Sequence, residues 1–395
     1  MSVVSVLALL LLAAVAVPPA AEYLLWDRVV EGRSPAPEDG DLARVSRVEP
    51  PALTGADVQL MTADLSGADL SASGDVLSKY TGFTTLTRWP ASLPAGFDPA
   101  ARLELGKNPG LGIRALHAAG ITGKGVRVAY IDATPLLEHQ EYAGRVVRYV
   151  EMSSLTSQAE WHGPAVISLA IGKTVGVAPE AEMVYYRVPY SLWRITGQVK
   201  TVRYIARAIN RILDENAGLP AGQRIRVIGS SQVFTWELID GGPELLMAVE
   251  RAKQEGVLVV STDMAKYYTR SLGPVGRDPM GNADRLESYG IPVSWEAEVL
   301  AGQDDVVKDT LVPVDSRTMA SPTGLADYRF DRAGGASWSA PWFTGFYALV
   351  LQVNPQVDPV EFLEVAYQTG QYVTDRGVRV GPIINPAAVI AHFRR

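Results

Sequence analysis

From about residue 108 onward, short apolar runs alternate with amphipathic stretches. Residues 126–132 (VRVAYID), 182–188 (EMVYYRV), 226–232 (RVIGSSQ) and 257–263 (VLVVSTD) are β-branched or aromatic runs a strand's length long. Runs of this kind predict buried parallel strands. Between them, Val202, Ile205, Ile209 and Ile212 step by three and four, predicting a helix over residues 199–215 with one apolar stripe. In residues 243–254, Pro243 opens a helix, Leu246, Val249 and Ala252 form its face, and Gly256 closes it. A further, strongly apolar helix is predicted over residues 341–353, with Pro341 in its first turn. Alternation of strand and helix implies an α/β fold with a mostly parallel sheet covered on both faces. In such sheets the ligand site sits at the carboxyl ends of the strands.

The chain before residue 108 has another pattern. Residues 3–17 are uncharged and apolar, and Pro18-Pro19-Ala20-Ala21 ends the run. Residues 1–21 are therefore expected to be either a cleaved signal peptide or a retained N-terminal membrane anchor, which places the rest outside the cytoplasm. Residues 22–107 are rich in Pro, Gly, Asp and Ala and weakly periodic, and residues 57–74 are loop-like. They predict an extension with little core of its own, serving as a propeptide or as a strap on the domain formed by residues 108–395.

Composition narrows the chemistry. The chain has 395 residues, 36 Lys+Arg against 43 Asp+Glu, four His and no Cys. Thiol nucleophiles and Cys-ligated metal centres are thereby excluded. A net charge of −7 argues against nucleic acid as a partner. Imidazole chemistry is confined to His117, His139, His162 and His392. Asp132 ends a predicted strand, His162 precedes an apolar helix, and Ser337 follows Gly334-Gly335-Ala336 just ahead of the last long helix. Each alone has a bland reading: a loop cap, a structural imidazole, a turn. Together they are a nucleophile, a base and an orienting carboxylate, in the chain order of one known solution to serine catalysis.

Those residues carry a resemblance to the subtilisin-like serine proteases, extending over roughly residues 110–370. Residues 120–132 (GITGKGVRVAYID) resemble the approach to that family's catalytic Asp. Residues 138–146 (EHQEYAGRV) resemble its His-Pro-x-Leu-x-Gly-Arg-Val continuation, and 162–172 (HGPAVISLAIG) its His-Gly-Thr-His-Val-Ala-Gly motif. Gly176-Val177-Ala178-Pro179 matches a family signature, and residues 226–232 resemble its substrate strand. Gly335-Ala336-Ser337-Trp338-Ser339-Ala340-Pro341 resembles Gly-Thr-Ser-Met-Ala-Ala-Pro. Thr318-Met319-Ala320-Ser321-Pro322 is a decoy, with Thr at the nucleophile position and no long helix behind it.

The resemblance implies a three-layer fold, with a central sheet between helices, and peptide-bond hydrolysis through an acyl-enzyme. Ser337 would be the nucleophile, His162 its base and Asp132 the orienting group. Substrate would lie extended along Ser231, Gln232 and Val233. The Ser337 backbone N–H would be one oxyanion donor. The family's second donor, an Asn, is missing, since the aligned position is about Ala265, and a substitute would have to come from Thr262 or Asp263. A catalytically silent, peptide-binding member of the fold is the alternative. The expected partner is a peptide or protein substrate, with no nucleic acid, membrane contact only through an uncleaved N-terminal segment, and a monomeric state. No cofactor is expected. Calcium, common in the family, has no motif here: Glu298 and Asp304-Asp305 lack alternating ligand spacing. Trp161 and Trp338 flank the proposed catalytic residues and are expected to narrow access to them.

Overall fold

The computed structural model describes residues 58–152, 159–188, 202–231, 241–302 and 309–394, and the backbone of the short strands Val30–Glu31 and Ser46–Arg47. The predicted α/β architecture is present. Five parallel strands, Val146–Glu151, Glu182–Arg187, Arg127–Asp132, Val227–Gly229 and Leu258–Val260, lie side by side in that order. Val30–Glu31 pairs antiparallel with the outer edge of Val146–Glu151. The Arg127–Asp132 strand, central in the sheet, has five consecutive buried residues, because helices cover both of its faces.

The helices follow the sequence pattern closely. Arg203–Ala217 buries Ile205, Ile209 and Ile212. Gly242–Gln254 buries Leu245, Ala248, Val249 and Ala252. Leu246, expected on the inner face, is instead exposed, so the stripe is rotated by about one residue. Two helices are buried on nearly every side, His162–Ile171 and Ser339–Val353. They pack against each other, and Gly345 permits the approach: a Cβ there would stand 2.8 Å from the Ala170 carbonyl oxygen.

The described part of the extension is more structured than its composition suggests. Strands Val58–Leu60 and Thr81–Thr84 are parallel, and Thr81–Thr84 pairs with Tyr328–Asp331, which pairs in turn with Arg317–Ala320. The extension thus forms half of a sheet completed by the later part of the chain. Leu60, Leu65, Leu70, Leu77, Phe83 and Phe97 form a small core with Phe330. The Phe83 and Phe330 ring centroids are 5.2 Å apart. Helix Pro99–Gly106 is capped by Asp98, which accepts from Ala101 N–H, and lies on the Arg317–Ala320 strand. Residues 1–21 lie outside the described residues. Among the described residues, no helix is long and apolar enough to cross a membrane.

Candidate active site

Asp132 is the last residue of the central strand, at its carboxyl end. Its Oδ1 accepts from Ala133 N–H at 2.7 Å and is 2.6 Å from His162 Nδ1. Both side chains are buried, Asp132 completely. A carboxylate acceptor fixes the proton on Nδ1 and places the ring's acceptor lone pair on Nε2. His162 is the first residue of its helix, and Gly163 brings that helix start onto the loop after Asp132. A Cβ at Gly163 would lie 2.5 Å from the Thr134 carbonyl oxygen and 2.7 Å from that of Ala133. Only glycine fits so close to two carbonyls, so the backbone itself sets the imidazole over the carboxylate.

Ser337 sits in the single 3₁₀ turn Ala336–Trp338, directly ahead of helix Ser339–Val353. Side chains from other segments hold this loop. Gly334 N–H donates to Asp315 Oδ1 at 2.7 Å, and Ser231 Oγ donates to the Ser337 carbonyl at 2.8 Å. Tyr130 OH, from the central strand, is 2.6 Å from Ser231 Oγ. The Ser231 side chain therefore braces the serine loop from inside the protein. Gln232 and Val233 lie outside the described residues.

The structure brings Asp132 and His162 together, but His162 Nε2 makes no hydrogen bond to Ser337. The imidazole is instead covered by tryptophan. Trp338 stacks on it, with ring centroids 5.3 Å apart and planes at 27°. Trp161 meets it edge-on at 5.2 Å, and the Arg329 guanidinium lies 4.5 Å from the Trp161 ring centroid on this side of the molecule.

The two candidates for the second oxyanion donor differ. The Asp263 backbone is tied to Ser261, whose hydroxyl donates to the Asp263 carbonyl at 2.9 Å. Thr262 Oγ1 is buried without a hydrogen-bond partner among the described residues. Strands Val227–Gly229 and Leu258–Val260 pair with Gly229 opposite Val260, and Thr262 and Ser231 each follow that pair by two residues. Ala265 is exposed.

His117 and His139 are structural. His139 is buried and its Nε2 is 2.8 Å from the Asp327 carbonyl, while Nδ1 accepts from Glu141 N–H. His117 Nε2 is 2.8 Å from the Val177 carbonyl. Burial pushes the pKa of both down. The carboxylate of Glu141 accepts from Thr174 N–H, Thr174 Oγ1 and Tyr328 OH, which fixes the loop leading to Gly176-Val177-Ala178-Pro179. The decoy segment is a buried strand, with Thr318 Oγ1 donating to the Leu103 carbonyl. Among the described residues, no group of three His, Asp or Glu side chains is arranged to hold a metal ion.

Sequence reasoning did not single out Thr134, Glu160, Arg187 or Gly163. Only Gly163, in the family-like His-Gly pair, carried a signal.

Among solved structures, the chain is similar to the prenylagaramide maturation protease PagA, at 16% identity and TM-score 0.49, over 71% of this chain and 98% of that one. It is also similar to the PatG macrocyclase in complex with peptide, at 17% and 0.48, over 71% and 95%. A third is the self-cleaved protease domain of PatA, at 19% and 0.46, over 69% and 98%. No protein-family model and no curated protein matches the chain. With similarity this distant, the functional reading rests on the residues of the site.

Proposed function

We propose that this protein is an extracytoplasmic serine endopeptidase of the subtilisin type. The observation that carries the reading is the buried Asp132–His162 pair at 2.6 Å, at the carboxyl end of the central strand. Ser337 Oγ attacks the peptide carbonyl carbon, and its proton passes to His162 Nε2. The imidazolium, stabilised by Asp132, returns that proton to the leaving amine. Water then repeats the sequence on the acyl-enzyme. Negative charge on the tetrahedral oxygen is met at the start of helix Ser339–Val353 by the Ser337 N–H, with the Thr262 hydroxyl as second donor. The serine hydroxyl must swing to Nε2 when substrate binds, since catalytic hydrogen bonds often close only in the complex.

A second reading has its own observation. Trp338 covers the imidazole, as it would in a peptide-binding fold that no longer hydrolyses. Fluorophosphonate labelling separates the two. A hydrolase should label at Ser337, with labelling abolished in Ser337→Ala and His162→Ala and slowed about 100- to 1000-fold in Thr262→Val. Folded protein that never labels would support the silent fold.

A further inference from the structure

Beyond Asp132, the chain turns through Ala133 and Thr134, and Thr134 is completely buried. Its hydroxyl has two side-chain partners from different parts of the chain. Arg187 Nε donates to Thr134 Oγ1 at 3.2 Å, and Thr134 Oγ1 donates to Glu160 Oε1 at 3.0 Å. The backbone repeats the link, with Glu160 N–H donating to the Thr134 carbonyl at 2.9 Å. Gly163 N–H then donates to the Glu160 carbonyl at 3.2 Å.

Arg187 is nearly fully buried at the end of the neighbouring strand. Its register partner on one side is Asp132, and on the other Glu151. Register partners in a parallel sheet project to the same face, so a guanidinium stands in the row between two buried carboxylates. Tyr185, two residues earlier, donates through its OH to the Ala133 carbonyl at 2.5 Å. The loop after Asp132 is therefore bound on one side to the sheet and on the other to the residue two before His162.

We propose that Thr134 is a positioning residue for His162: its buried hydroxyl joins Arg187 on the sheet to Glu160 and holds the imidazole over Asp132. A hydroxyl suits the task because it accepts from the cation and donates to the carboxylate at once. Valine has the same shape and can do neither. The proposal rests on reading Asp132, His162 and Ser337 as one site, and a misplacement of about 1 Å there costs on the order of 100-fold in rate.

The test uses the full chain and two readouts. The first is the NMR signal of the His162 Nδ1 proton in its short bond to Asp132, identified by its loss in Asp132→Asn, with its exchange rate with water. The second is the rate of fluorophosphonate labelling. Thr134→Val should speed proton exchange at least tenfold and slow labelling between tenfold and 100-fold, and Thr134→Ser should restore both. Glu160→Ala, at a half-buried position that folding tolerates better, should speed exchange in the same direction. Unchanged exchange in both Thr134→Val and Glu160→Ala would overturn the proposal. Equal losses in Thr134→Val and Thr134→Ser would also overturn it, by assigning the effect to packing. Wild-type protein that never labels, but whose proton answers to Thr134→Val and recovers in Thr134→Ser, would sink the hydrolase reading and uphold the positioning role.

Discussion

Asp315 is completely buried and holds the serine loop by accepting from Gly334 N–H at 2.7 Å, while its other oxygen accepts from Val293 N–H at 2.9 Å. Burial pushes its carboxyl up to about 6, against the opposing pull of Arg332, the two N–H donors and Arg277. The folded protein thus keeps this proton to a higher pH than the unfolded chain, whose carboxyl titrates near 3.8. The group favours the fold most below that value, and its contribution falls as pH rises towards 6. Asp315→Asn should flatten this part of the stability profile, read as melting temperature against pH. An unaltered profile would show that Asp315 titrates normally. Asp132, His162 and Ser337 stand out at this scale as candidates because serine catalysis permits few residue types in few orders, and of the three the structure joins Asp132 to His162. Thr134 and Arg187 do not, because a threonine in a loop acquires a role only from partners 26 and 53 positions away in the chain.

The helices that begin at His162 and just after Ser337 are positioned by one another. His162–Ile171 and Ser339–Val353 are apolar all round, and that continuous hydrophobicity announced their burial. The crossing itself depends on Gly345, against Ala170 O at 2.8 Å and the Val177 side chain at 2.9 Å from a would-be Cβ. Gly345→Ala should force the helices apart, cost about 1–3 kcal/mol in unfolding free energy as overpacking does, and slow labelling of Ser337. Full labelling with lost stability would show that the crossing does not set the His162–Ser337 geometry. A polar residue inside the apolar helix also finds its reason here: Ser168 Oγ accepts from Ala320 N–H at 2.9 Å and donates to the Ala165 carbonyl. The strand Val146–Glu151 escaped the pattern because its first half is only partly buried and carries Arg148. An outer strand of this kind lacks the continuous apolar run of the central ones.

Over the whole molecule, the described extension is joined to the later chain by sheet hydrogen bonds and by a shared core. Phe83 packs on Phe330, Arg102 is buried with its guanidinium 4.8 Å from the Phe97 ring centroid, and Phe83 and Thr84 pair with Phe330 and Arg329 in one sheet. Removing residues 1–107 would leave the Tyr328–Asp331 strand with an open edge and Phe330 in water. A chain starting at residue 108 should therefore aggregate or unfold without cooperativity, and Phe83→Ala in the full chain should cost about 3–5 kcal/mol. A permanent strap also predicts that the intact mass of purified active protein retains residues 58–107. Active protein beginning near residue 108 would identify a removable propeptide instead.

The sequence by itself determined the alternation of strand and helix, the burial of the two central helices, and a catalytic candidate for each role. These follow from local periodicity and from the scarcity of histidine. It left open which polar side chains meet, because hydrogen bonds among Arg187, Thr134 and Glu160 depend on strand register and helix placement. It pointed to an extension with little core of its own but not to what completes that core, Phe330, more than 200 positions later. Contacts of that range are fixed when the sheet closes, and a local hydrophobic pattern does not record them.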